Sequence, residues 1–126
     1  MADAFADGFS EPGAIKGYHA HIYYDPAATK PAAAHLREGI AATFPSATIG
    51  SWHDEAVGPH TVSMYQVVFS TDEFSRVVPW LMLNRAGLDV LVHPLAGNAY
   101  DDHTVYAMWL GDKLPLNLEV LRRTSR

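Results

Sequence analysis

Between Ile15 and Asp25 the chain reads IKGYHAHIYYD, and its strict alternation limits the fold more than any other feature. Tyr18, Ala20, Ile22 and Tyr24 point one way in an extended strand, and His19, His21 and Tyr23 point the other. One face of this strand is therefore built for a core. The opposite face carries two imidazoles at positions i and i+2, whose Cα atoms lie roughly 6–7 Å apart on a strand. That spacing lets both rings reach one metal or ligand without requiring that they do.

The rest of the chain supplies partners for this strand. Thr29 is placed to cap a helix running to about Phe44, with Pro31 in its first turn and Leu36, Ile40 and Phe44 forming one buried stripe. A short strand around Thr48 to His53 follows. The loop DEAVGPH, punctuated by Gly58 and Pro59, then leads to a strand from Thr61 to Phe69. Ser70 and Glu73 have capping-box spacing, and Phe74, Val77, Val78 and Leu81 recur at helical intervals. Pro79 predicts a kink or restart inside that helix, and Gly87 a C-terminal cap. Leu88 to His93 and Thr104 to Leu110 read as strands, and the tail LPLNLEVL reads as a short helix or an edge strand.

Strand, helix, strand, strand, helix, strand is the order of two linked βαβ-type units. It predicts a ferredoxin-like α+β sandwich: an antiparallel sheet with both helices on one face, plus an extra C-terminal strand. With 126 residues the chain suits one domain, here residues 15–126. Residues 1–14 read as a mobile leader or surface arm, without the basic start and apolar segment of a signal peptide. No apolar run is long enough to span a bilayer, so a cytoplasmic protein is expected.

Composition excludes several kinds of function. The net charge is −5 and Lys and Arg form no stripe, so the electrostatic footprint of nucleic-acid binding is missing. With no cysteine, a metal would have to be held by nitrogen and oxygen. No Gly-x-Ser-x-Gly elbow surrounds Ser51 or Ser63, and Gly87 and Gly97 make no phosphate loop. Trp80 and Trp109 read as core or interface aromatics. Trp52, Tyr23 and Tyr65 could line an aromatic pocket, although packing is the commoner role for each.

The chain has seven histidines, and only His35 falls in an expected helix. A lone histidine is most often a hydrogen-bonded or solvent-facing residue. A set of six on strands and loops fits neutral-imidazole metal binding better. In the expected topology His93 ends the strand beside His19, whereas His53 and His60 bracket a loop at the opposite end, nearer Tyr23. Three arrangements remain open: the loop folds over the histidine face, a second subunit contributes, or the histidines form two sites. Asp25, Asp54, Glu55, Asp101 and Asp102 are the carboxylates within reach, and spacing singles out none.

The blocks GYHAHIYYD at 17–25, HDEAVGPH at 53–60 with MYQVVF at 64–69, VPWLMLNRAGLDVLVHP at 78–94 and DHTVYAMWLG at 102–111 resemble the fungal DOPA 4,5-dioxygenase family and its bacterial relatives. The similarity spans nearly all of Ile15 to Leu121. It implies a ferredoxin-like homodimer that cleaves a catechol such as L-DOPA next to its hydroxyl pair, an extradiol-type reaction, using O2 and histidine-bound Fe(II). Zn is an alternative metal in a purified sample. Carried onto this chain, the family's histidine positions fall at His19, His21, His53, His60, His93 and His103. His21, His60 and His93 are then expected to bind the metal, and His19, His53 and His103 to bind substrate or act as base, with His19 the choice for base. Some members place Glu where this chain has Gln66, which leaves a carboxylate ligand open. The rival readings are a binding module for small aromatics on the same fold, and a metal-dependent isomerase or lyase that consumes no oxygen.

Overall fold

The structure, a computed structural model, describes residues 8–124; the first half of the expected leader, residues 1–7, lies outside them. Residues 8–14 are exposed, with one 3-10 turn at Pro12–Ala14. Five strands follow: β1 (Tyr18–Tyr23), β2 (Thr48–Ile49), β3 (Met64–Phe69), β4 (Val90–Pro94) and β5 (Met108–Leu110). They form one antiparallel sheet in the order β2-β3-β1-β4-β5. With helices α1 (Lys30–Thr43) and α2 (Phe74–Asn84), this is the expected ferredoxin-like arrangement extended by β5.

The alternation of β1 decides the two faces. Ala20, Ile22 and Tyr24 are buried in one cluster with Leu36 and Ile40 of α1, Val77 and Leu81 of α2, and Val67, Val90 and Val92 of the neighbouring strands. Gly39 lets α1 approach α2 closely, since a Cβ there would sit 3.0 Å from the Trp80 ring. Trp52 and Tyr65 belong to this side. Trp52 packs edge-on against Tyr24 and Tyr65, and Lys30 and Arg37 flank its ring. Tyr65 is buried in the main core and Trp52 is partly buried against it.

Several local expectations are corrected. Ser70 makes no capping hydrogen bond, because a 3-10 turn at Thr71–Glu73 precedes α2 and the Glu73 carboxylate is engaged by Ser46 and Arg76. Thr29 also makes no side-chain cap; its hydroxyl accepts from the Asp25 N–H instead. The α2 helix passes through Pro79 without a restart, the proline lying on its exposed side. It ends at Asn84, ahead of a left-handed turn at Ala86 and Gly87. The strand expected at 48–53 is only Thr48–Ile49, with His53 rejoining β3 by a single bridge to Met64. The strand expected from Thr104 begins at Met108, because Ala99–His103 forms a short helix, α3. In the tail, Leu118–Thr124 is a helix, α4.

Candidate metal centre

The face of β1 opposite the helices holds His19, His21 and Tyr23. Its neighbours in register are His93 opposite His19, and Gln66 and Leu91 on either side of His21. Of the three arrangements left open by the sequence, the first is found: this face is covered. Segment 54–63 folds back over it, pinned by a bridge between His60 and Leu116 and by hydrogen bonds from Thr61 Oγ1 to the Pro115 carbonyl and from the Asn117 N–H to the Pro59 carbonyl. The apolar reason is a second small core, in which Tyr23, Met64 and Leu91 pack against Val62, Trp109, Leu114 and Leu116. Helix α3 closes the other side. Asn98 caps it by accepting from the Asp101 N–H, and the buried Asp102 carboxylate accepts from the Ala96 N–H. Asn98 ahead of AYDDH was a capping signal that the sequence reading passed over.

Five imidazoles converge under this cover. The ring of His21 is central: its centroid lies 4.1 Å from that of His60, 5.1 Å from His93, 5.8 Å from His19 and 6.1 Å from His103. His93 and His103 stand 3.9 Å apart. The donor nitrogens of His19, His21 and His93 lie within 4.8 Å of one another, as do those of His21, His60 and His103. The trio His21, His60 and His93 is thus divided: His21 belongs to both groups, His93 to one and His60 to the other. His53, held by its backbone to Met64, is in neither group. His35 is exposed on α1.

Outer partners fix most of these rings. His93 Nδ1 donates to the Pro94 carbonyl at 3.0 Å, and His103 Nδ1 to the Ala99 carbonyl at 2.7 Å. A carbonyl can only accept, so in each neutral ring Nε2 keeps its lone pair. His60 Nδ1 is 2.7 Å from the Tyr23 hydroxyl. Outer hydrogen bonds of this kind are what orient metal-ligating histidines.

Burial keeps the cluster neutral. Desolvation, reinforced by mutual repulsion, lowers His93 to about 3 and His60 to about 4. His21 is pushed well below its usual value for the same reasons, and His19 and His103 are lowered, chiefly by burial. Burial likewise raises the Tyr23 phenol, so it stays protonated.

Such a donor set fits a divalent metal. His21 Nε2 donates a hydrogen bond to the His93 Nε2 lone pair at 3.0 Å, a separation that a shared ion would also give. Two nitrogens at right angles around one ion, each about 2.1 Å from it, are separated by about 3.0 Å. His21 Nδ1 is buried with no hydrogen-bond partner, an unused nitrogen in the middle of the cluster. Asp102 is the buried carboxylate nearby in sequence, and its oxygens are taken up by the Ala96 N–H. A cavity of about 530 Å³ lined by Tyr23, Tyr24, Asp54, Leu88 and Leu114 contains no imidazole, nor does one of about 830 Å³ lined by Ile15, Tyr18, Phe74, Val92 and Met108. Donor chemistry, more than volume, picks out the site.

The sequence profile of the Dopa 4,5-dioxygenase family matches residues 18–120. The chain belongs to that family. A DOPA 4,5-dioxygenase of Amanita muscaria is 33% identical over 111 residues, covering 82% of this chain and 49% of the relative. An uncharacterized 21.2 kDa protein of Botryotinia fuckeliana is 38% identical over 91 residues, 66% of this chain and 50% of that one. The chain therefore spans about half the length of the curated relatives it matches. The crystal structure of a "putative dioxygenase" from Nostoc punctiforme superimposes with a TM-score of 0.89 at 50% identity, over 93% of this chain and all of that one. Among the described residues no helix is long and apolar enough to cross a membrane.

Proposed function

We propose that the protein is a metal-dependent dioxygenase that opens the ring of a catechol, with L-DOPA as the model substrate and Fe(II) and O2 as the reagents. The observation that carries this reading is the convergence of four neutral imidazoles, from two strands, a loop and a helix, around the buried ring of His21. A family that includes a DOPA 4,5-dioxygenase supports it.

The roles follow from where each ring is anchored. His19, His21 and His93 stand on paired strands, the most rigid support available, and we assign them as the metal ligands. This moves His19 from the base role expected from sequence to a ligand role. Fe(II), when bound, supplies the redox-active centre that catechol and oxygen chemistry needs. His60 and His103 project from the covering loop and from α3, and are assigned to the substrate hydroxyls, with Nε2 of one accepting a phenolic proton. The same covering segments exclude water.

The test is oxygen uptake by the iron-reconstituted protein with a series of catechols. Stoichiometric uptake with a yellow ring-opened semialdehyde is the expected result. Metal and catechol binding without oxygen consumption would instead favour a binding module or a non-oxidative enzyme.

A further inference from the structure

We propose that Tyr23 is the positioning residue of His60, fixing the ring that faces substrate through its Nδ1; the substrate-facing role of His60 rests on the dioxygenase reading above. The backbone of His60 is held on both sides, by its pairing with Val57 and by its bridge to Leu116. Those bonds leave rotation about the side-chain torsions free. The Tyr23 hydroxyl, 2.7 Å from Nδ1, hydrogen-bonds the ring itself.

The phenol is itself immobile. Tyr23 is 3% exposed, stacks on Trp109 at 5.7 Å between ring centroids with 20° between planes, and is packed against Met64 and Leu91. It also stands two residues from His21 on the same strand face, so one rigid strand sets both rings. Without the hydroxyl, an imidazole flip that exchanges Nδ1 with carbon would no longer break a hydrogen bond. Nε2 would then spend part of its time turned away from the other rings.

His60 differs from its neighbours in the kind of anchor. His93 and His103 are tied to carbonyls of their own or adjacent elements. His60 sits on a loop and is tied across 37 residues of sequence to the sheet. The phenol is therefore the device that registers the loop's imidazole against the strand-borne ones.

Tyr23→Phe tests this, since it keeps the ring that stacks on Trp109 and removes one oxygen. In the metal-free protein at pH 8, imidazole 1H–15N correlation spectra are expected to show the His60 nitrogens in one hydrogen-bonded environment in the wild type. In the variant those signals should shift or broaden, while His93 and His103 remain unchanged. In the iron-loaded protein, kcat for ring opening should fall about 10–100-fold, taking as guide the loss that follows removal of an outer hydrogen bond to a metal-ligating imidazole, while Co(II) affinity should stay at its wild-type value because His60 is not among the assigned ligands. Identical His60 signals in the two proteins would overturn the proposal. If the wild type neither binds Co(II) nor consumes oxygen, the dioxygenase reading falls, and the metal-free spectra still decide whether Tyr23 holds the ring.

Discussion

Acid should unfold the metal-free protein through its histidine cluster, and the size of the effect follows from burial. In the unfolded chain a histidine titrates near 6.5. In the folded protein His60 is lowered to about 4 and His93 to about 3. Both folded values lie below the unfolded one, so in the window between them the unfolded state binds more protons and stability falls as pH falls. Integrating to pH 4.5, each ring contributes about 2–3 kcal/mol of lost stability, about 5 for the two. That is comparable to the total stability of a small domain, on the order of 5–15 kcal/mol. His19, His21 and His103 act in the same direction. The assay is urea unfolding of chelator-treated protein at several pH values from 8 to 4.5, followed by tryptophan fluorescence. Stability should be level above about pH 7 and then decline with a slope of about 1.4 kcal/mol per pH unit for each buried ring. His60→Gln should reduce that slope by about one ring's share. A stability that stays flat from pH 7 to 4.5 would refute the claim that these imidazoles are buried and neutral.

Replacing the central ring, His21→Ala, should abolish binding of Fe(II) or Co(II), measured by calorimetry; full metal content with full activity would remove His21 from the site. Chelation should stop oxygen uptake, and Fe(II) should restore it to the same protein. Asp102→Ala breaks the buried carboxylate's hold on the Ala96 N–H and should cost about 1–3 kcal/mol, with a loss of ring-opening rate through a loosened His103; unchanged stability in denaturant would contradict this. Ile40→Ala, at 1% exposure in the main core, should cost about 2–5 kcal/mol while leaving metal affinity unchanged, which separates core damage from site damage.

The local pattern reached far where the physics was local. The period of two from Tyr18 to Tyr24 sorted core side chains from chemical ones, and register then placed His93 opposite His19. Helices α1 and α2 could be read from their apolar stripes. What failed was also local in kind: Ser70 to Glu73 had the spacing of a cap, yet a 3-10 turn formed there and Glu73 turned to Ser46 and Arg76 instead. Helix α3 is only five residues long, too short for periodicity to reveal, so the strand expected from Thr104 was begun four residues ahead of its start at Met108.

By itself, then, the sequence determined which residues could do chemistry and which side of β1 they occupy, because alternation along a strand is a property of neighbouring residues. It left open whether the loop bearing His60 closes over that side, stays away, or serves another subunit. Only tertiary structure decided that the loop closes within one chain. Its docking depends on apolar contacts among Tyr23, Met64, Leu91, Trp109, Leu114 and Leu116, residues brought together from distant stretches. The same packing that covers those side chains takes the imidazoles out of water, and this desolvation makes them neutral donors.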